Sequence, residues 1–251
     1  MKILVLVKQV PDPNAIRFDA SGNFPANTAR VVNEYDQYAL EAAVQIKEAS
    51  GDADITVVTV GPAAAKDAVT RGLAMGADQG ILVQGDPGEI DSFHTASVLA
   101  EIARNASYDL IIVGQETSDS GSGNVGPHLA GLLGLPLVSN VVELEVGADG
   151  TVTMQREVED GRHVVSVKPP VVICALTGLN EPRYPSLKGI MAARRKPVED
   201  RSLSDFPAPD SSTTWGALRQ EERTVEGTMI DDEPESAARQ AVAILKERNL
   251  I

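Results

Sequence analysis

Short apolar runs alternate with longer stretches of helical periodicity through the first half of the chain. Ile3–Val7, Ile55–Val60, Ile81–Val83 and Leu110–Val113 are mostly apolar and rich in Val and Ile. That texture suits strands of a parallel sheet buried on both faces. Between these runs, Ala39, Leu40, Ala43, Val44 and Ile46 recur at helical spacing, with Asn33 as a candidate N-cap. Ala68, Val69, Leu73 and Met75 form a second stripe ending at Gly76; Ala96, Leu99, Ala100 and Ala103 form a third. Strands alternating with helices predict right-handed βαβ units and an α/β, doubly wound, mainly parallel Rossmann-like sheet.

The pattern changes after Pro136. Leu137–Val146, Thr151–Glu157 and His163–Val167 read as strands, with hairpin turns at Asp149-Gly150 and Asp160-Gly161. A small antiparallel extension and a further strand at Val171–Ala175 are expected. From about Pro197 core-forming runs cease until Ala237–Leu245. Pro207, Pro209, Ser211, Ser212, Thr213 and Thr214 predict an extended arm, and Ser236 opens a short helix carrying Ala238, Val242 and Leu245. The expected division is an α/β domain over 1–196 and a C-terminal arm with its helix over 197–251. The arm reads either as a disordered tail or as a segment wrapping a partner, the second because the helix keeps an apolar face.

Composition narrows the function. With 251 residues, 43% hydrophobic and 23% charged, the body is that of an ordinary globular protein. A net charge of -14 and a pI near 4.6 argue against a general nucleic-acid binder. The lone Cys174 permits no intramolecular disulfide and reads as a buried strand residue, with a reactive thiol as the alternative. His94, His128 and His163 lie too far apart in sequence for a metal motif, and none is predicted. The opening apolar run stops at Lys8, too short for a signal peptide or a membrane span, so a cytoplasmic protein is expected.

Candidate chemistry concentrates after the fourth predicted strand, in Gly114, Gln115, Glu116, Thr117, Ser118, Asp119, Ser120, Gly121, Ser122, Gly123, Asn124 and Val125. Ligands of open α/β sheets bind beyond strand carboxyl ends. Glycines let backbone amides approach a phosphate, a helix starting near Asn124 or Val125 offers its positive end, and three serines add donors. A mobile surface loop is the alternative. Gly121 to Gly126 match G-x-G-x-x-G, but polar residues separate them from their strand, which argues against a nicotinamide dehydrogenase. No acid–base pair or nucleophile arrangement stands out, so no catalytic residue is expected.

The string Asn180-Glu181-Pro182-Arg183-Tyr184-Pro185-Ser186-Leu187-Lys188-Gly189-Ile190-Met191-Ala192-Ala193 resembles the beta subunit of electron-transfer flavoproteins. The resemblance extends through Ile3–Lys8, Asn33–Glu41, Val60-Gly61-Pro62, Ala74–Asp78 and the glycine loop. It implies an electron carrier, not an enzyme, built as a heterodimer with an alpha subunit that carries FAD, while this chain holds structural AMP. The AMP contacts it implies fall on Leu6, on Asn33, Glu34, Tyr35 and Asp36, on Val60, and on Gly114 through Val125. Glu34 and Asp36 replace the family's commoner proline and small residue, and Asp119 matches its loop acid.

Tyr35 is implied to lie near the alpha-subunit flavin, or else to pack as a helix-entry staple inside its own domain. Leu187 falls at the tip of a recognition loop over 180–196, with Tyr184, Ile190 and Met191 beside it for docking on partner dehydrogenases; packing onto its own domain is the alternative. Arg194, Arg195 and Lys196 either steer acidic partners or form a solvated turn. Implied partners are acyl-CoA or other flavin dehydrogenases as donors and a quinone reductase or similar acceptor, as in fatty-acid β-oxidation. Two other readings stay open: a bifurcating flavoprotein with a second FAD in place of AMP, and a stand-alone universal-stress-type nucleotide-binding module.

Overall fold

The structure, a computed structural model, describes residues 1–18, 28–86, 88–210, 213 and 227–251. The chain forms two compact units, Met1–Ala217 and Leu218–Ile251. The first opens with β1 (Lys2–Leu6), a short antiparallel ribbon of β2 (Gln9–Pro11) and β3 (Arg30–Val32), and α1 (Glu34–Ser50). Then come β4 (Asp54–Gly61), α2 (Lys66–Met75), β5 (Gln79–Gln84), α3 (Ser92–Ala106), β6 (Leu110–Gly114) and α4 (Val125–Leu133). The remainder comprises β7 (Leu137–Val146), β8 (Val152–Val158), β9 (Gly161–Val167), β10 (Val171–Ala175), α5 (Leu187–Ala193) and β11 (Val198–Ser202).

Among the described residues nine strands form one sheet in the order β11-β5-β4-β1-β6-β10-β7-β8-β9. The pairs from β11 to β7 are parallel, and β7-β8-β9 continue the same sheet antiparallel. The chain runs from β1 outward through β4 and β5, then returns to β1's other flank with β6, so the connection reverses between β1 and β6. Alternation along β1 shows the layering. Ile3 and Val5 pack into a core beneath α1 and α2, whereas Leu4 and Leu6 pack into a second core beneath α3 and α4. The expected α/β, mainly parallel fold is the one observed.

Four local differences have physical causes. Asn33 occupies the N-cap position of α1 but makes no capping bond, because its amide is engaged elsewhere. The second hairpin turns at Glu159-Asp160, since Gly161 already pairs with Val158. Residues expected to begin the arm form β11, an edge strand whose sequence Val-Glu-Asp-Arg-Ser shows no apolar run because only β5 covers it. Phe206 beyond it is buried in the second core, so the body extends past Lys196. Ser211, Ser212 and Thr214 of the expected arm lie outside the described residues.

In the second unit, α6 (Pro234–Glu247) begins two residues before Ser236, with Pro234 in its first turn. Ser236 Oγ donates to Asp232 Oδ2 at 2.6 Å. Val242 and Leu245 on this helix are exposed. Among the described residues no helix is long and apolar enough to cross a membrane.

Candidate functional site

A cavity of about 310 Å³ opens at the carboxyl ends of β1, β4 and β6, beside the reversal between β1 and β6. This is the crevice in which open α/β sheets bind ligands. Leu6, Val58, Val60 and Val113 come from the strands, and Leu99 from α3. The polar rim is Gly114 through Thr117, Ser120, and Ser122 through Val125.

The glycine loop is shaped by its own sequence and held by α1. Gly121 and Gly123 both have φ of +59°, a conformation that costs a residue with a Cβ. Thr117 Oγ1 donates to Asp119 Oδ1 at 2.7 Å, and the Gly121 amide donates to the Thr117 carbonyl at 2.7 Å. Asn33 is wholly buried; its Nδ2 donates to the Glu116 carbonyl at 2.8 Å and its Oδ1 accepts from the Ser118 amide at 3.1 Å. On the far side, Gln115 Oε1 accepts the amide of Asn140 at 2.8 Å. Gly114 ends β6 against the first turn of α1, where a Cβ would collide with Asp36 Oδ1.

After the loop, α4 starts at Val125 without a side-chain cap from Asn124. Its first amides have no intrahelical acceptor and carry the positive end of the helix dipole. Amides, hydroxyls and the left-handed Gly123 on one rim, facing apolar walls, fit a ligand with a phosphate and a flat apolar group.

Charge in the cleft is largely committed. Lys8 Nζ pairs with Asp119 Oδ2 at 2.7 Å. Burial raises the Asp119 carboxyl, but the Lys8 charge and the Lys8 and Thr117 hydrogen bonds outweigh it and leave Asp119 below its usual range. Asp36 is buried and accepts the Lys8 amide at 2.7 Å. Burial pushes its carboxyl up to about 7, against the donors of Lys8, Asn33 and Gly114. Cys174, buried in β10, has its thiol pushed up to about 12 by burial, the setting of an inert core residue.

Of the sequence-predicted positions, Leu6, Asp36, Val60, Gly114 to Thr117, Ser120 and Ser122 to Val125 line the cavity. Asn33, Ser118, Asp119 and Gly121 build the loop without lining it. Glu34 is exposed in the first turn of α1 and does not line the cavity, whereas Asp36, the other departure from the family's pattern, does. Tyr35 is half-buried at the rim, its hydroxyl 3.4 Å from Glu116 Oε1. Burial and the Glu116 charge raise its phenol above the usual range.

Sequence reasoning missed Lys8 and the floor supplied by Ile90, Asp91, Ser92 and Thr95 at the start of α3. Asp91 before Ser92 is a helix N-cap signal, accepting the His94 amide at 2.8 Å. Its place after β5's carboxyl end was the available clue.

A separate face carries the 180–193 segment. Tyr184 is 87% exposed and Leu187 83%, with Met191 and Ile190 also exposed, so Leu187 does not pack onto its own domain. Arg194 and Arg195 are exposed beside them, whereas Lys196 turns inward to the carbonyls of Leu73 and Ala77 at 2.9 and 2.6 Å.

The electron transfer flavoprotein domain profile matches residues 25–206. Electron transfer flavoprotein subunit beta of Syntrophomonas wolfei is 39% identical over 239 residues, 95% of this chain and 93% of the relative. The subunit of the same name from Bacillus subtilis is 35% identical over 98% of both chains. Caffeyl-CoA reductase-Etf complex subunit CarD of Acetobacterium woodii is 34% identical over 81% of both. The profile and the near-full-length likeness displace the universal-stress-type reading: this chain belongs to the electron transfer flavoprotein family, among relatives named as its beta subunits.

Proposed function

We propose that this chain is the nucleotide-holding, partner-docking subunit of a heterodimeric electron carrier, with no catalysed reaction of its own. The observation that carries the reading is the cleft at the strand-order reversal, joined to the glycine loop and the uncapped start of α4. A volume of about 310 Å³ lies at the small end of ligand sites, which run from roughly 300 to 1,000 Å³. That favours AMP over a dinucleotide. Leu6, Val60 and Leu99 would face the base, while Ser120, Ser122 and the first amides of α4 would hold the phosphate.

The FAD of an alpha subunit would supply the redox chemistry, and Tyr35 at the rim would cover part of its ring. The second unit, with the exposed apolar positions of α6, would pack on that alpha subunit. Tyr184, Leu187, Ile190 and Met191 would dock on donors such as acyl-CoA dehydrogenases, and a quinone reductase or similar acceptor would take the electrons onward. The similarity to a subunit named for a caffeyl-CoA reductase complex supports a CoA-thioester enzyme as one partner. A second FAD in place of AMP is the other reading: Val125-Gly126-Pro127, which opens α4, resembles the same stretch in bifurcating flavoproteins.

The test is to co-purify the chain with its alpha subunit, denature the complex and count the released nucleotides. One FAD and one AMP per heterodimer is the expected result. Two FAD without AMP would establish the second reading, and absence of both complex and flavin would sink the assignment.

A further inference from the structure

Four exposed apolar side chains on an irregular loop and a seven-residue helix have little of their own to hold them in place. The surrounding contacts supply what the segment lacks. Arg183, immediately before Tyr184, reaches back to α1. Its Nη2 donates to Glu41 Oε1 at 2.8 Å and its Nε to Glu41 Oε2 at 2.9 Å, and its amide donates to the same carboxylate at 3.2 Å. Its Nη1 and Nη2 donate to the two oxygens of Glu48 at 2.5 and 2.8 Å. Glu41 and Glu48 lie two helical turns apart on one face of α1, so one planar fork bridges both.

Glu41 is the unusual member of this group. Its side chain is only 3% exposed, and Lys and Arg are the natural partners of a carboxylate so deeply buried. A surface loop could be tied to α1 by a weak, solvated pair; here the pair is desolvated on the helix side and bidentate. Asn180 adds a second tie, donating from Nδ2 to the Tyr38 carbonyl at 3.0 Å.

The other end of the segment is tied to α2. Ser186 caps α5 by accepting the Gly189 amide at 3.0 Å. Gly189 sits so close to α2 that a Cβ there would collide with the Ala74 carbonyl oxygen. Lys196 then places its ammonium on the final carbonyls of α2 and the turn after it, the end where a cation is favoured.

We infer that Arg183, clasped by Glu41 and Glu48, is the positioning residue that presents the Tyr184–Met191 face to partner dehydrogenases in one fixed conformation. The inference rests on the docking reading and adds to it: the affinity of the apolar face depends on a clamp that touches no partner. A loop ordered before contact loses less freedom on binding, so loosening it weakens docking without changing the contact residues.

The test uses the intact heterodimer and an acyl-CoA dehydrogenase reduced by its acyl-CoA substrate. Arg183→Lys keeps the charge but loses the fork, and Glu41→Gln keeps the shape but loses the charge. Both are expected to accelerate amide hydrogen exchange over 180–191 and to raise the KM for the dehydrogenase about tenfold, with kcat and bound FAD and AMP unchanged. Leu187→Ala is expected to raise KM without altering exchange.

Unchanged exchange in both clamp variants would overturn the inference. So would faster exchange with an unaltered KM while Leu187→Ala still raises it, which leaves the docking reading standing. If Leu187→Ala leaves KM unaltered, the docking reading itself fails and the inference falls with it.

Discussion

The cleft and the 180–193 face are built by opposite means. The cleft is concave and made largely of backbone: the left-handed Gly123, the start of α4, and strand ends whose side chains form apolar walls. The face is convex and made of side chains, four apolar groups held out into solvent. In the cleft, polar side chains such as Asn33 and Gln115 are spent on holding the loop, and the rim is left to backbone and hydroxyls. On the face, Arg183 and Lys196 are spent on holding the segment, and the apolar side chains stay exposed. A site for a small anion needs donors fixed within a cavity, whereas a site for brief macromolecular contact needs a small apolar anchor that is easily reached.

Substitutions that hit one region and spare the other sharpen this contrast. Gly114→Ala should have the largest effect, about 3 kcal/mol of stability, because its methyl meets Asp36 and Tyr35 at the packed start of α1. Urea unfolding would read it, and a wild-type midpoint would remove close packing from the account. Asn33→Ala should cost about 2 kcal/mol by orphaning the Glu116 carbonyl and the Ser118 amide, and should lower AMP occupancy while leaving donor docking intact.

Leu187→Ala should do the reverse. Stability and nucleotide content stay at wild type, and partner binding falls by about 1.5 kcal/mol, as seen in transfer kinetics with a reduced dehydrogenase. The smallest effect is on pH dependence. Asp36 binds its proton more tightly folded than unfolded, so its contribution to stability is full below about pH 4 and is lost as pH rises through 7. Asp36→Asn should flatten a decline on the order of 1 kcal/mol between pH 6 and 8, measured by denaturant midpoints. Parallel pH profiles for the two proteins would assign the slope to other groups.

Much of this was readable along the chain, for different reasons in each region. The buried parallel strands had to be apolar, so Ile3–Val7 and Leu110–Val113 marked the sheet and its carboxyl ends directly. The glycine loop was legible because left-handed backbone and close approach both demand glycine. The ribbon of Gln9–Pro11 and Arg30–Val32 was not, being too short to show a period. Nor was β11, since an edge strand needs backbone pairing more than apolar side chains. The start of α3 reached the cleft only through the fold, and no spacing in sequence joins Ser92 to Ser122. Asn33 was read as a cap from its position, and only the three-dimensional arrangement reveals its amide turned to the loop.

Helix α1 also fixes a spacing. Its 17 residues span about 25 Å. One end is committed to Asn33, Tyr35 and Asp36 at the cleft, and its flank at Tyr38, Glu41 and Glu48 is committed to the 180–183 loop. Inserting a single residue between Asp36 and Glu41 would turn the downstream flank by about 100° and take both carboxylates away from Arg183. Inserting two full turns would restore the angle but move the flank by roughly 10 Å. The length of the helix is therefore as much a part of the arrangement as its side chains, and an insertion there would uncouple the two surfaces while leaving each one's own residues untouched.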